Sequence, residues 1–256
     1  MKNTPYPDFL RFFCFFAALV LLSGCAGAFA PQPTPIPELP GWTLAWHDEF
    51  DGKAGTLPDP ARWGYNLGGD GWGNMEHEYY TAEKANAALD GKGSLVITAL
   101  KIAEPAESGL TCWYGDCFYT SARLLTQDKF EFTYGRVEAR LKLPAGRGIW
   151  PAFWMLGGDI DQAGWPQSGE IDIMENIGSE PNIVHGTVHG PGYSGAGGVG
   201  KPYVFKEGNF SDDFHLFAVE WEPQEIRSYV DGQPYFSVTH ADLNGEWVLL
   251  ENTGDT

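Results

Sequence analysis

Three carboxylates alternate with apolar residues in Ser168-Gly-Glu170-Ile-Asp172-Ile-Met-Glu175-Asn-Ile-Gly178. A strand sends successive side chains to opposite faces, so Glu170 and Asp172 point one way and Ile171 and Ile173 the other. Unbroken alternation would drive Glu175 into the isoleucine face, where a lone carboxylate is costly to bury. A β-bulge at Ile173-Met174 resolves the conflict, because one extra residue shifts the phase and returns Glu175 to the side of the other two acids. Four effective steps then separate the two glutamate backbones by roughly 13 Å. Side chains leaning together close that to about 5 Å, the separation at which two carboxyls can act as nucleophile and general acid on a glycosidic bond. Like charges this close do not all ionise freely, so at least one is expected to hold its proton above the usual range. The competing reading is a plain solvated acidic strand. The isoleucine-rich run and the bordering tryptophans weigh against it.

The elements that must position these acids read as short strands. In Gly135 to Leu143, apolar Val137, Ala139, Leu141 and Leu143 alternate with Arg136, Glu138, Arg140 and Lys142, the pattern of a half-buried strand. Leu95 to Ala99 and Phe214 to Trp221 are further strand candidates. Glu225 to Val230, Asp231-Gly232 and Pro234 to Val238 form a predicted hairpin, since Asp-Gly supplies the positive φ angles of a type I′ turn. No long stretch has a 3.6-residue period. The predicted fold is all-β, two packed antiparallel sheets. Positions 150, 152 and 154 share one strand face by alternation. His189 shares a face with His185 and Thr187, opposite Val184 and Val188.

The chain has 256 residues, 33 Gly, ten Trp and a net charge of −18. That charge repels nucleic acid and anionic surfaces and favours a neutral polymer over an acidic one. Most of the tryptophans are expected in the core, with the remainder free to stack on flat apolar ligands such as sugar rings. Lys2 and Arg11 precede or border the apolar run Phe12 to Leu22, which is too short to span a bilayer comfortably. Leu22-Ser-Gly-Cys25 follows and resembles a bacterial lipobox. Residues 1–24 are therefore expected to be a lipoprotein signal peptide and Cys25 the lipidated first residue, with an ordinary signal peptide ending near Ala28 or Ala30 as the alternative. Removal takes away Lys2, Arg11 and Asp8, one net positive charge, and leaves −19. Residues 25–40, with five prolines in Ala30 to Pro40, read as a semi-rigid linker. The expectation is an exported, anchored protein at the outer membrane or cell surface, touching membrane through its lipid alone. Cys112 and Cys117 read as a disulfide in that oxidising compartment.

Glu170-Ile-Asp-Ile-Met-Glu175 resembles the bulge-type active-site signature of glycoside hydrolase family sixteen. Trp72-Gly-Asn-Met-Glu-His-Glu-Tyr-Tyr-Thr81, Tyr119-Thr-Ser-Ala-Arg-Leu124, Phe132 to Arg140, Leu143 to Leu156 and Val184 to Gly190 resemble its laminarinases, the endo-1,3-β-glucanases. The resemblance covers about residues 42 to 247 and implies a β-jelly-roll with a cleft across its concave sheet. It implies Glu170 as nucleophile, Glu175 as general acid/base and Asp172 as the group that orients and tunes the nucleophile. Trp150 and Trp154 match sugar-stacking positions, His189 a histidine near the acids, and Asn74 and Arg123 positions that bond sugar hydroxyls. Trp165 is expected at the cleft wall. Catalysis is expected to need no cofactor. Family members often bind a structural calcium, and Glu49 and Gly93 resemble two of its contributors. The third, an aspartate on the last strand, has no counterpart here.

The expected domain spans residues 41–256. After Trp247 the sequence departs from the family pattern, so C-terminal strands are expected to be missing and the chain poorly stable. The leading expectation is a monomeric, retaining endo-hydrolase of 1,3-β- or mixed 1,3-1,4-β-glucan. The alternatives are a hydrolase of another neutral polysaccharide such as agarose, or a non-catalytic β-glucan-binding protein.

Overall fold

The computed structural model describes residue 36 and residues 38–248. The signal segment, Cys25, most of the proline-rich linker and residues 249–256 lie outside the described residues. Two four-stranded antiparallel sheets dominate. In one, the strands run in the order Gly135–Leu141, His215–Glu222, Glu225–Val230, Gln233–Thr239. In the other, called the acid sheet below, the order is Ala152–Leu156, Glu170–Glu175, Ile183–His189, Val199–Val204. The described chain is almost without helix: one four-residue α-turn at Ile160–Ala163 and three short 3₁₀ turns.

The sheets meet through the apolar alternates of their strands. Ile171, Ile173, Met174, Val184 and Val188 of the acid sheet share one core with Phe217, Val219, Ile226, Val230, Phe236 and Val238. Each fully buried side chain of this kind is worth about 2 kcal/mol, and together they fix which face of each strand looks inward. Ile183–His189 shows the consequence, because its even-numbered residues are buried and its odd-numbered ones half-exposed. The predicted hairpin forms across Glu225–Val230 and Gln233–Thr239, with Asp231 at φ 49° and Gly232 at φ 74°. Those two positive angles twist the turn in the sense the flanking strands need.

Shorter pairings flank the acid sheet. Glu78–Tyr80 runs parallel to Tyr119–Ser121, Gly64–Asn66 pairs with Arg123–Leu125, and Thr111–Cys112 pairs with Gly115–Asp116. Two expectations need correction. The strand following Trp150 begins at Ala152, so Trp150 sits just before it rather than in it. Nor are most tryptophans in the core. Trp247 is the one buried indole, and Trp42, Trp113, Trp150 and Trp165 are exposed. A buried indole N–H usually finds an acceptor. Here Trp63, Trp113, Trp150 and Trp165 find theirs on Asp48, the Glu76 carbonyl, Glu175 and Glu170, none of them in the apolar core.

Candidate active site

The carboxylate strand Glu170–Glu175 carries the bulge that its sequence requires. Against Ile183–His189, Glu170 pairs with His189, Asp172 with Thr187 and Glu175 with His185. Three steps along the carboxylate strand are thus matched by two on its neighbour. The same shift recurs on the other side, where Ala152 opposes Glu175 and Trp154 opposes Asp172. Ile173 and Met174 are both buried, so the extra residue is absorbed by the core. Asn176, fully buried, locks the following turn by donating its side-chain amide to the carbonyls of Ile183 and Glu180. All three acids therefore share the face that bears His185, Thr187 and His189.

Electrostatics distinguish them. Asp172 is 3% exposed and is held up to about 7 by burial and by the neighbouring Glu175 charge. Glu170 is pushed to about 7, first by burial and then by Asp172, with which it shares a hydrogen bond. Two carboxyls coupled this tightly titrate as a unit that keeps a proton to near neutrality. Glu175 is also raised, by burial first, while His189 and the Trp150 hydrogen bond pull the other way. Each glutamate has its own indole donor. Trp165 Nε1 donates to Glu170 Oε2 at 2.6 Å, and Trp150 Nε1 donates to Glu175 Oε1 at 3.1 Å. His189 Nε2 lies 3.2 Å from Asp172 Oδ2. Only a glycine fits beside that ring, since a Cβ on Gly198 would stand 2.3 Å from His189 Cε1. A depression of about 180 Å³ lined by His185, Thr187, Gly198, Gly200, Lys201 and Pro202 extends the face next to Glu175.

The remaining candidates divide. Arg123 lies between two indoles, its guanidinium carbon 4.6 Å from the Trp154 ring centre and 4.8 Å from that of Trp72. Trp154 is directly opposite Asp172, so this stack adjoins the acids. Trp72, which opens the motif ending at Thr81, is a binding-face residue that local spacing does not reveal, since its partner Arg123 lies on a separate strand. Asn74 itself is exposed and donates to Glu76 Oε1 at 3.2 Å. The Cys112–Cys117 disulfide is formed. Glu49 faces His47 at 3.7 Å, and Gly93 lies at φ 86° in the turn between Ala87–Leu89 and Leu95–Ile97. Among the described residues, the single grouping of three or more acid, His or Cys ligand atoms is Glu170, Asp172 and His189, within 4.8 Å of one another. Neither Glu49 nor Gly93 belongs to it.

A two-sheet β protein with two indole-bonded glutamates flanking a buried aspartate on one open face is equipped to cut a glycosidic bond. The chain belongs to the glycosyl hydrolases family 16, whose family model matches residues 75–248. It is 46% identical over 234 residues to a β-glucanase of Rhodothermus marinus, covering 90% of this chain and 77% of that protein. The laminarinase catalytic domain of Thermotoga maritima superposes with a TM-score of 0.71 at 45% identity, covering 81% of this chain and 82% of that one. An endo-β-1,3-glucanase of Pyrococcus furiosus superposes at 0.69 with 47% identity, covering 78% and 75%. These relatives carry the jelly-roll expectation onto the two sheets described above.

Proposed function

We propose that this protein hydrolyses internal bonds of 1,3-β- or mixed 1,3-1,4-β-glucan with retention, Glu170 acting as nucleophile and Glu175 as general acid/base. The observation that carries the reading is the bulge at Ile173-Met174, which sets both glutamates on one face. In the first step Glu170 attacks the anomeric carbon while Glu175 gives its proton to the departing oxygen. In the second, Glu175 takes a proton from water, which displaces Glu170 from the sugar. Trp165 steadies the ionised Glu170, and Asp172 orients it through their shared hydrogen bond. Trp150 holds Glu175 in reach. His189 braces Asp172, and the stack of Trp72, Arg123 and Trp154 forms the neighbouring wall for sugar rings. No step uses a metal. The Glu49 carboxylate stands beside an imidazole, which a hard cation does not select.

The named relatives act on β-glucan, which favours this substrate over agarose. Retention of both glutamates favours hydrolysis over binding alone. Reducing-end release on laminarin, lichenan and agarose tests the choice. Turnover confined to agarose, or to none of the three, would overturn it. We further propose that the protein works as a monomer, exported and held to a membrane by lipid on Cys25, a setting in which the Cys112–Cys117 bond persists. Radiolabelled fatty acid incorporated by the parent chain and lost in Cys25→Ala is the expected result.

A further inference from the structure

We propose that the Cys112–Cys117 hairpin is a positioning device for substrate: it clamps the Gly71–Glu78 loop and thereby holds Trp72 against Arg123 in the wall of the acid-lined face. The backbone of this loop is strained. Gly71, Trp72, Gly73 and Met75 all have positive φ, at 83°, 49°, 81° and 57°. For Trp72 and Met75, which carry a Cβ, that region is disfavoured and persists only where surrounding contacts dictate it. The loop's own contacts are the Asn74 and Glu76 amides donating to the Gly71 carbonyl and the Asn74 side chain donating to Glu76, while Trp72 donates to Asp70 and the Gly68 carbonyl just ahead of it. Asn74 and Met75 are exposed, so the loop has no core of its own.

The hairpin grips the loop at both ends. The Trp113 amide donates to the Gly69 carbonyl at 2.7 Å, ahead of the strained stretch. Beyond it, Trp113 Nε1 donates to the Glu76 carbonyl at 2.8 Å and the Tyr114 hydroxyl to the His77 carbonyl at 2.6 Å. The Trp113 ring lies flush on Gly71, where an added Cβ would meet its Cδ1 at 2.8 Å. The hairpin's own strands are two residues each, Thr111–Cys112 and Gly115–Asp116. A ladder that short does not sustain itself, so the covalent closure is what keeps Trp113 and Tyr114 in place. Trp72 then stacks on Arg123, and Arg123 on Trp154 opposite Asp172. Among the described residues, the side-chain hydrogen bonds and ion pairs of the three acids go to one another and to Trp150, Trp165 and His189 rather than to the hairpin. Loosening it should therefore weaken substrate positioning and leave the chemical step intact. The clamp stands on geometry alone; its consequence for β-glucan rests on the function proposed above.

The test uses the full chain with Trp113→Phe, which keeps an aromatic ring of smaller size and loses the N–H, and with Cys112→Ser/Cys117→Ser. On laminarin, both variants should raise KM about 3- to 10-fold, the equivalent of losing one stacked cation–π contact, with kcat unchanged. An unchanged KM, or a loss confined to kcat, overturns the proposal. Hydrogen–deuterium exchange over residues 71–78 provides a readout independent of turnover. Faster exchange there in Trp113→Phe, with the melting temperature retained, supports the clamp, and unaltered exchange refutes it. If the parent cleaves no β-glucan, the glucanase reading falls while the exchange result still decides the clamp.

Discussion

Glu170 and Glu220 occupy strands of the two opposed sheets, and both are largely screened from water, yet their protons are held in opposite ways. Glu170 is raised to about 7, first by burial and then by Asp172, with only the Trp165 indole and His189 pulling it down. Burial acts on Glu220 in the same sense but is outweighed by hydrogen bonds from Tyr229, Arg227 and Arg136, so Glu220 is held below its ordinary value. Arg227 in turn also reaches Glu222 and Glu225. The difference lies in where the arginines are. The sheet that carries Arg136 and Arg227 neutralises its acids and makes them structural. The acid sheet offers its carboxylates indoles and histidines instead, leaving protons that can move near neutral pH.

Removing the acids themselves separates the two sheets most clearly. Glu170→Gln should lower kcat on laminarin by about 10⁴-fold, since no other carboxyl can replace the attacking group. A retained rate would dissolve the distinction between the two sheets. Glu220→Gln should do the reverse. Turnover should be unchanged, while urea unfolding should show a loss of about 2 kcal/mol as Arg136 and Arg227 forfeit charged partners. A smaller effect is the pH dependence of stability. Between about 4.5, the ordinary value for Glu, and 7, the native Glu170–Asp172 pair binds more protons than the unfolded chain, so its contribution to stability falls as pH rises through that window. Glu220, with a lowered native value, contributes stability above its ordinary value and loses it as pH falls. Unfolding at pH 5 and pH 7 should therefore show a gain at pH 7, relative to the parent, in Glu170→Gln. Glu220→Gln should show no such gain. Smallest is the effect of the indole donors. Trp165→Phe removes a bond to the ionised Glu170 and should move the acidic limb of kcat/KM upward by about one pH unit, and Trp150→Phe should move the basic limb upward in the same way. A downward shift in either would contradict the donor geometry.

Much of the site was legible because strand periodicity and the cost of burying charge act locally. The bulge at Ile173-Met174 follows from the conflict between apolar alternation and Glu175, and it is found where that conflict places it. The Asp231-Gly232 hairpin and the alternating burial of Val184 through Val188 follow for the same reason. Tryptophan placement did not, because composition counts indoles without saying where their N–H groups can find acceptors. Trp165 reaches from the loop ahead of the carboxylate strand to Glu170, and Trp150 reaches from just before Ala152–Leu156 across to Glu175 on the neighbouring strand. No period of two or of 3.6 residues encodes such a pair.

Along the strands, local alternation in the sequence was enough to assign the two faces, and so which acids share a surface, since those outcomes depend on the next one or two residues. The tertiary structure alone decided which carboxylates remain without an arginine and which indole reaches each glutamate. It also decided that Arg123 is caught between Trp72 and Trp154, residues 51 and 31 positions away along the chain. Those contacts depend on how separate segments pack, and Coulomb and stacking forces act across space without regard to order along the chain.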